Sequence, residues 1–433
     1  MGPRSRDTER LGVYMNGVPV GRLIREGTGA LSFTYAPSWL EREKPLPISR
    51  RLPLTEKPIV GKPVRDYFDN LLPDDPRIRE KIAARARASG TQAYDLLAAV
   101  GRDCVGALQF YPDDTEPGPV GPVHGKPLTA KKIAEIIRNL RINPLGINPE
   151  SDFRISLAGV QNKTALLWKD EKWLLPEGPT PTTHIIKPQI GRIPNGPDLS
   201  LSVENEWLCL RLLRAYGMAA AEAEMVDFEE LRVLVVKRFD REWSGGKLYR
   251  LPQEDMCQAL GFGTEMKYES DGGPGIGSIL RLLNESDRRD EDRGTFLKAQ
   301  IVYWLLAAID GHAKNFSIFI RPGGGFVLTP LYDVMSADPH INPGSFPLQK
   351  IKLAMAAGDH RHFKVREIRS RHWRQTANKY KFSEIDGLIE EVIRLTPLAI
   401  EKVRGELPKG FPTAVSEPVF AALAERARTL ATP

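Results

Sequence analysis

A long apolar run that breaks into a short polar loop constrains this chain more than any other feature. From Ala299 to Ile309 nearly every side chain is apolar, which predicts a helix buried on all sides. The run ends in Asp310-Gly311-His312-Ala313-Lys314-Asn315. Two β-prone stretches, Phe316 to Ile320 and Phe326 to Leu328, then flank the turn residues Pro322-Gly323-Gly324-Gly325, and Leu331-Tyr332-Asp333 follows. The order is therefore buried helix, polar loop, hairpin and second acid.

Asp310 and Asn315 stand five residues apart, the offset of the Asp and Asn in a protein-kinase catalytic loop, and Asp333 follows the hairpin as the metal-binding acid does there. The chemistry explains the residue types. One carboxylate must accept the proton of an attacking hydroxyl, while an amide oxygen and a second carboxylate hold Mg²⁺ against the triphosphate of ATP. Asp310, Asn315 and Asp333 supply these groups, and His312 lies inside the same candidate catalytic loop. The competing reading has Asp310 capping a turn and Asp333 starting a helix.

At 433 residues the chain is long enough for two or three subdomains and a sizeable core. Its 41% hydrophobic and 27% charged residues are those of a globular protein, and the run Ile301 to Ile309 is too short to cross a bilayer. Met1 to Leu11 carries no secretory pattern, and Arg6 stands where myristoylation needs Ser or Thr, so a cytoplasmic location is expected. Cys104, Cys209 and Cys257 lack metal-ligand spacing and predict buried, reduced thiols. The net charge of +6 is unevenly spread: Arg361, Lys364, Arg366, Arg369, Arg371, Arg374 and Lys379 crowd one stretch, which suits either a polyanion or a solvated helix face.

Along the chain, the Asn16-Gly17 turn and the alternating Leu31 to Tyr35 predict a small antiparallel sheet. Pro76 opens a helix reaching Ala88, and Thr91 caps another that ends at Gly101, so residues 1–112 form an N-terminal α+β unit. Residues 113–127, dense in Pro and Gly, read as a linker or loop. Residues 128–240 then form a nucleotide-binding lobe that begins with a helix from Thr129 to Leu140. In it, Ser156-Leu157-Ala158-Gly159-Val160-Gln161-Asn162-Lys163-Thr164 lies between two expected strands, Phe153 to Ile155 and Ala165 to Trp168. That arrangement makes a lid whose amides face phosphate oxygens, without the glycine spacing of a Walker A loop.

Lys187 ends the apolar strand His184-Ile185-Ile186-Lys187, as the ATP-contacting Lys of a protein kinase ends Val-Ala-Ile-Lys. A helix from Leu201 to Tyr216 offers Glu204 or Glu206 as its acidic partner. Leu231 to Val236 runs as a strand into Lys237-Arg238-Phe239-Asp240, the place of an adenine-binding hinge, so Lys237 and Phe239 join the nucleotide set. Pro252, Gln253, Asp255 and Gly261 then frame the first helix of a helical catalytic lobe over residues 241–408, with Gln253 facing the nucleotide and residues 409–433 left as a tail.

These motifs resemble the HipA-type serine/threonine kinases, the toxins of HipA/HipB toxin–antitoxin pairs. The resemblance is carried by Ile155 to Thr164, His184 to Lys187, Arg238-Phe239-Asp240-Arg241, Gln253 to Gln258, Asp310 to Asn315 and Leu331 to Asp333. Phe68-Asp69-Asn70-Leu71-Leu72-Pro73 and Gly101-Arg102-Asp103-Cys104-Val105-Gly106 extend it into the N-terminal unit. It implies an α+β, two-lobed protein-kinase-like fold distantly similar to phosphoinositide kinases. In it Asp310 is the base, Asn315 and Asp333 are Mg²⁺ ligands, Lys187 lies on the phosphates, and Ser156 is a silencing autophosphorylation site. It further implies a HipB-like helix-turn-helix antitoxin that binds operator DNA, and a translation target such as glutamyl-tRNA synthetase whose phosphorylation favours dormancy. Lys237 and Asn162 depart from the family's acidic residues at those positions.

Two rivals remain. A lipid or small-molecule kinase on the same scaffold would want a basic loop beyond Asp333, yet Val334 to Phe346 holds no Lys or Arg. A catalytically silent co-repressor would have no physical need to keep Lys187, Asp310, Asn315 and Asp333 together.

Overall fold

Asn16 and Gly17 take φ of 49° and 79°, the positive values a two-residue hairpin turn requires and these residues tolerate best. In the computed structural model, which describes residues 8–112, 115–147, 154–159, 161–193, 196–341 and 346–432, that turn joins strands Glu9–Met15 and Val18–Arg25. They lie in a five-stranded antiparallel sheet with Leu31–Tyr35 and Ile59–Val60 on one side and Leu108–Pro112 on the other. Helices Lys62–Asp69, Pro76–Ala86 and Ala93–Val100 pack with it around Leu23, Phe33, Phe68, Leu97 and Phe110. Asp75 caps the Pro76 helix by accepting from the Arg77 N–H. Thr91 does not cap the next one: Gln92 stands at its N-cap, with no side-chain cap bond.

The second unit is a six-stranded antiparallel sheet ordered Ala223–Phe228, Leu231–Lys237, His184–Pro188, Thr164–Lys169, Lys172–Pro176 and Gly125–Pro127. Alternation along Leu231–Lys237 sorts its two faces. Val233 and Val235 meet Ile133 and Ile137 of helix Ala130–Arg138, whereas Leu234 and Val236 join the core around helix Ser202–Ala215. The same alternation on His184–Pro188 buries Ile186 beneath Ala130–Arg138 and turns Lys187 toward Ser202–Ala215. The expected linker therefore ends early, because Gly125–Pro127 is an edge strand, where Pro is tolerated. The expected strand before the phosphate loop is absent from its described part: Phe153 lies outside the described residues, and Ile155 and Leu157 instead plug the N-terminal core.

Helix Arg289–Leu305 runs through the larger lobe with Phe296, Ile301, Val302 and Trp304 enclosed. Around it pack Ile276–Leu283, Ile385–Glu406 and Thr413–Ala431. Residues 409–433, read as a tail, contain that last helix, whose Val415, Phe420 and Leu423 are buried and whose Arg426 bonds the Leu305 carbonyl at 2.6 Å. Pro418 inside the helix disguised it. Gln253 lies in a strand, not a helix: Gln253–Asp255 pairs with Ser317–Ile320, which pairs with Phe326–Leu328. Helix Met256–Leu260 starts only after Asp255, which forms a capping box with Gln258, and ends at Gly261 with φ 78°.

The three units meet at a buried charge cluster. Asp103, from the N-terminal unit, accepts from Arg241 Nη2 and Arg250 Nε at 2.9 Å each and pairs with Arg238 Nη1 at 3.3 Å. Asp240 accepts from Arg238 Nη2 at 2.8 Å and from the Gly106 N–H at 2.7 Å. Surplus guanidinium donors go to the carbonyls of Cys104 and Gly106. Burial alone would raise the Asp103 pKa, but the charges of Arg241, Arg250 and Arg238 outweigh it and hold the carboxyl well below its ordinary 3.8. The stabilisation is thus complete above 3.8 and is lost as pH falls toward the lowered folded-state value. Asp103→Asn should cost about 3–5 kcal/mol, because it strands buried guanidinium charge; urea denaturation at neutral pH checks this, and a midpoint equal to wild type would contradict it.

Candidate active site

The candidate catalytic loop takes its shape from the end of helix Arg289–Leu305. Ala307 turns out of the helical region at φ 45°, and the His312 N–H closes on the Asp310 carbonyl at 2.8 Å. The Asp310 carboxylate is left half exposed, at 51%. Asn315 donates its amide nitrogen to the Asp310 carbonyl at 2.7 Å and the Asp333 carbonyl at 3.5 Å, which leaves the amide oxygen available to a cation. His312 is buried, 3.7 Å from Asp310; burial lowers its pKa although Asp310 opposes this, so a neutral imidazole is held beside the acid.

Asp333 sits at φ 58°, an uncommon conformation for a non-glycine residue. The neighbouring chain enforces it. Leu331 exchanges backbone hydrogen bonds with Ala219 and Ala221 at 2.9 and 2.8 Å, and the Tyr332 hydroxyl donates to the Lys314 carbonyl at 2.9 Å. The Asp333 carboxylate is thereby presented to Lys187, whose ammonium bonds it and Glu206 at 2.8 Å each. Of the two acids the sequence offered, Glu206 is therefore the partner, while Glu204 accepts from Gln189 at 2.7 Å and pairs with Arg232 at 3.6 Å. Burial works against both charges of the Lys187–Asp333 pair, yet their mutual attraction prevails: the Lys187 pKa is raised and that of Asp333 depressed.

The expected phosphate loop lines the same cleft as this ion pair. Lys163, buried, donates to the Ala158 carbonyl at 2.7 Å, and Gly159 at φ 99° leaves room where a Cβ would meet Lys163 Nζ at 2.7 Å. Burial, together with the nearby Lys187 charge, brings the Lys163 pKa down to about 8. Gln161 donates to the Pro188 carbonyl at 3.1 Å. Val160 lies outside the described residues. Ser156 faces away from the cleft, buried, with its hydroxyl donating to the Leu71 carbonyl at 2.7 Å. Thr164 also turns away, to the Leu145 carbonyl at 2.7 Å, and Asn162 is half-buried outside the cleft wall.

The cleft thus gathers Ala158, Gly159, Gln161, Lys163 and Lys187 with Asp310, His312, Asn315 and Asp333. Lys237, Phe239 and Gln253 line the same cleft. Phe239 stacks obliquely on Tyr332, centroids 5.5 Å apart, so an apolar slot adjoins the charged one, whereas exposed Lys237 pairs with Glu222 at 3.1 Å. Sequence reasoning missed Asn70 and Asp74, which the N-terminal unit sends into the cleft. Buried Lys314 donates to Asn70 Oδ1 at 2.6 Å and approaches Asp255 and Asp74 at 3.3 and 3.6 Å. No periodicity links residues so far apart in the chain. Lys267 and Tyr268 were missed as well, for they lie on a loop without a motif.

Among the described residues, no group of three His, Cys, Asp or Glu side chains is placed to hold a metal by itself. Mg²⁺ commonly takes one or two carboxylates plus substrate phosphates, so Asn315 and Asp333 fit as its protein ligands. It would there neutralise phosphate charge.

Residues 11–111 match the HipA N-terminal domain, and residues 155–400 the HipA-like C-terminal domain. Y4mE of Sinorhizobium fredii, named as a candidate kinase, is 36% identical over 355 residues that cover 80% of either chain. The serine/threonine-protein kinase toxin HipA of Shewanella oneidensis is 27% identical over 346 residues, 76% of either chain. A chain of the solved Shewanella oneidensis complex of HipA, HipB and operator DNA aligns with a TM-score of 0.80 and 25% identity, covering 97% of both chains. With both domains matched in order along one polypeptide, the chain belongs to the HipA family and has its two-lobed, kinase-like fold.

Proposed function

We propose that this protein is an ATP-dependent serine/threonine protein kinase that acts as the toxin of a toxin–antitoxin module. The observation that carries this reading is the Lys187–Asp333 pair at 2.8 Å, with Asp310 and Asn315 in the same cleft. Lys187, with Lys163 behind it, faces the phosphates. Asn315 and Asp333 would hold Mg²⁺, which would offset phosphate charge, and the base is displayed at the open edge, where a protein hydroxyl can approach. Asp310 accepts the acceptor's proton as the acceptor oxygen bonds to the γ-phosphorus and the bond to ADP breaks. The loop beyond Asp333 lacks the cations a phosphoinositide headgroup would want, which favours a protein acceptor.

The Shewanella relative is named a kinase toxin and assembles with HipB and operator DNA. By that likeness, the partner here is a HipB-like helix-turn-helix antitoxin that brings the kinase to operator DNA in the cytoplasm. The target is a translation component such as an aminoacyl-tRNA synthetase, and its phosphorylation arrests growth. The basic stretch from Arg361 is only partly available to DNA: Arg361 pairs with Glu269, Lys364 with Glu367 and Arg374 with Asp386.

Asp310→Asn should fold normally and lose about 10²-fold or more of the transfer rate, since an amide cannot accept the hydroxyl proton. Equal phosphotransfer by variant and wild type in a purified assay would remove Asp310 from the base role. Ser156 serves as an inactivating autophosphorylation site. Its enclosed hydroxyl must leave the Leu71 carbonyl to be modified, and a charge of about −2 cannot return to that pocket, so the loop stays displaced from the phosphates. Intact-mass analysis should find phosphate on Ser156 only in inactive molecules; full occupancy with undiminished activity would contradict the mechanism.

A further inference from the structure

The loop carrying Lys267 and Tyr268 belongs to no motif, yet it reaches the candidate base. The Tyr268 hydroxyl donates a hydrogen bond to Asp310 Oδ1. Its ring lies edge-on to His312, with centroids 4.9 Å apart at 86°. His312 Nε2 is 3.7 Å from the same carboxylate oxygen, beyond hydrogen-bond distance. Among the described residues, Tyr268 is thus the one side chain hydrogen-bonded to the Asp310 carboxylate.

The loop is braced rather than loose. The Lys267 carbonyl accepts from the Ala313 N–H at 3.2 Å, and its ammonium donates to Asp74 Oδ2 at 3.1 Å. The Tyr268 carbonyl accepts from Gly273 at 2.9 Å, and Glu269 accepts from the Ala356 N–H at 2.7 Å. A Cβ on Gly273 would meet the Met266 carbonyl at 2.0 Å, so the turn closes tightly. Burial and the Asp310 charge both raise the phenol's pKa, which keeps it a donor. A half-exposed Asp otherwise swings freely about its side-chain torsions. A donor fixed on one oxygen sets the carboxylate plane and leaves the other oxygen open.

We propose that Tyr268 is a positioning residue for the transfer step: its hydroxyl fixes Asp310 Oδ1 so that Oδ2 takes the proton of the incoming acceptor hydroxyl. This role rests on the kinase reading above. It makes the segment from Thr264 to Gly273 the acceptor side of the site, opposite the phosphate loop.

The test is a double-mutant cycle on the full-length protein, with kcat and the KM for Mg·ATP measured for wild type, Tyr268→Phe, Asp310→Asn and the double variant. A hydrogen bond to a charged group contributes about 1.5–3 kcal/mol, so Tyr268→Phe should lower kcat by about 10-fold or more. The KM for ATP should stay within about twofold, because the phosphate and adenine contacts are untouched. In the Asp310→Asn background the same change should have no further effect. Tyr268→Phe should keep the circular-dichroism spectrum and melting midpoint of wild type, which separates a lost hydrogen bond from a misfolded loop. Wild-type kcat in Tyr268→Phe, a higher kcat, or an equal loss in both backgrounds would overturn the role. A wild-type protein that turns over no ATP would remove the kinase reading itself, and this role with it.

Discussion

Asp103 is the point on which the three units of this chain converge. Its carboxylate receives Arg241 and Arg250 at 2.9 Å and Thr182 Oγ1 at 2.7 Å, and so ties the N-terminal unit to the smaller lobe and to the paired strands Arg241–Ser244 and Lys247–Arg250 that follow it. Three buried guanidinium groups surround two carboxylates there, and backbone carbonyls take up several of the remaining donors, though among the described residues Arg241 Nε is left without a partner. Such a cluster adds little net stability compared with an apolar core, since desolvation offsets most of the attraction. What it provides is register. Few other arrangements satisfy those charges, so the segment from Lys237 to Asp240 enters the cleft at one angle, with Phe239 in its wall.

A second set of charges inherits that geometry. Lys187 bridges Glu206 and Asp333 at 2.8 Å each, which links the central strand of the smaller lobe, the helix behind it and the acid after the hairpin. Glu206, buried on the helix behind, holds the ammonium from the side away from Asp333. Lys314 braces the other flank by reaching across to Asn70 and Asp74. The N-terminal unit is therefore part of the wall of the cleft, and motion between it and the larger lobe would disturb the catalytic loop directly.

Much of this was legible in the sequence because local chemistry enforces it. The Asn16-Gly17 turn, the Asp75 cap, the hairpin after Asn315 and the apolar helix before Asp310 each follow from a rule acting within a few residues. Alternation on the strand ending at Lys187 was enough to place that residue facing a helix, but not to choose Glu206 over Glu204, which depends on helix rotation. Composition misled where tertiary pairing prevailed: Gly125–Pro127 read as a loop and is an edge strand, and the helix containing Pro418 read as a tail. Ser156 was grouped with the phosphate-facing residues, yet its hydroxyl points into the N-terminal core. Asn70, Asp74, Lys267 and Tyr268 reach the site through contacts across the chain that no spacing encodes.

Transfer of phosphate from ATP to serine or threonine of another protein can be read by incubating the purified protein with γ-labelled ATP, Mg²⁺ and a bacterial lysate, then separating proteins from lipids and small molecules. Label is expected on one or a few proteins, recovered as phosphoserine or phosphothreonine and abolished by omitting Mg²⁺. Label confined to the lipid or small-molecule fraction, or no transfer beyond background, would contradict this activity.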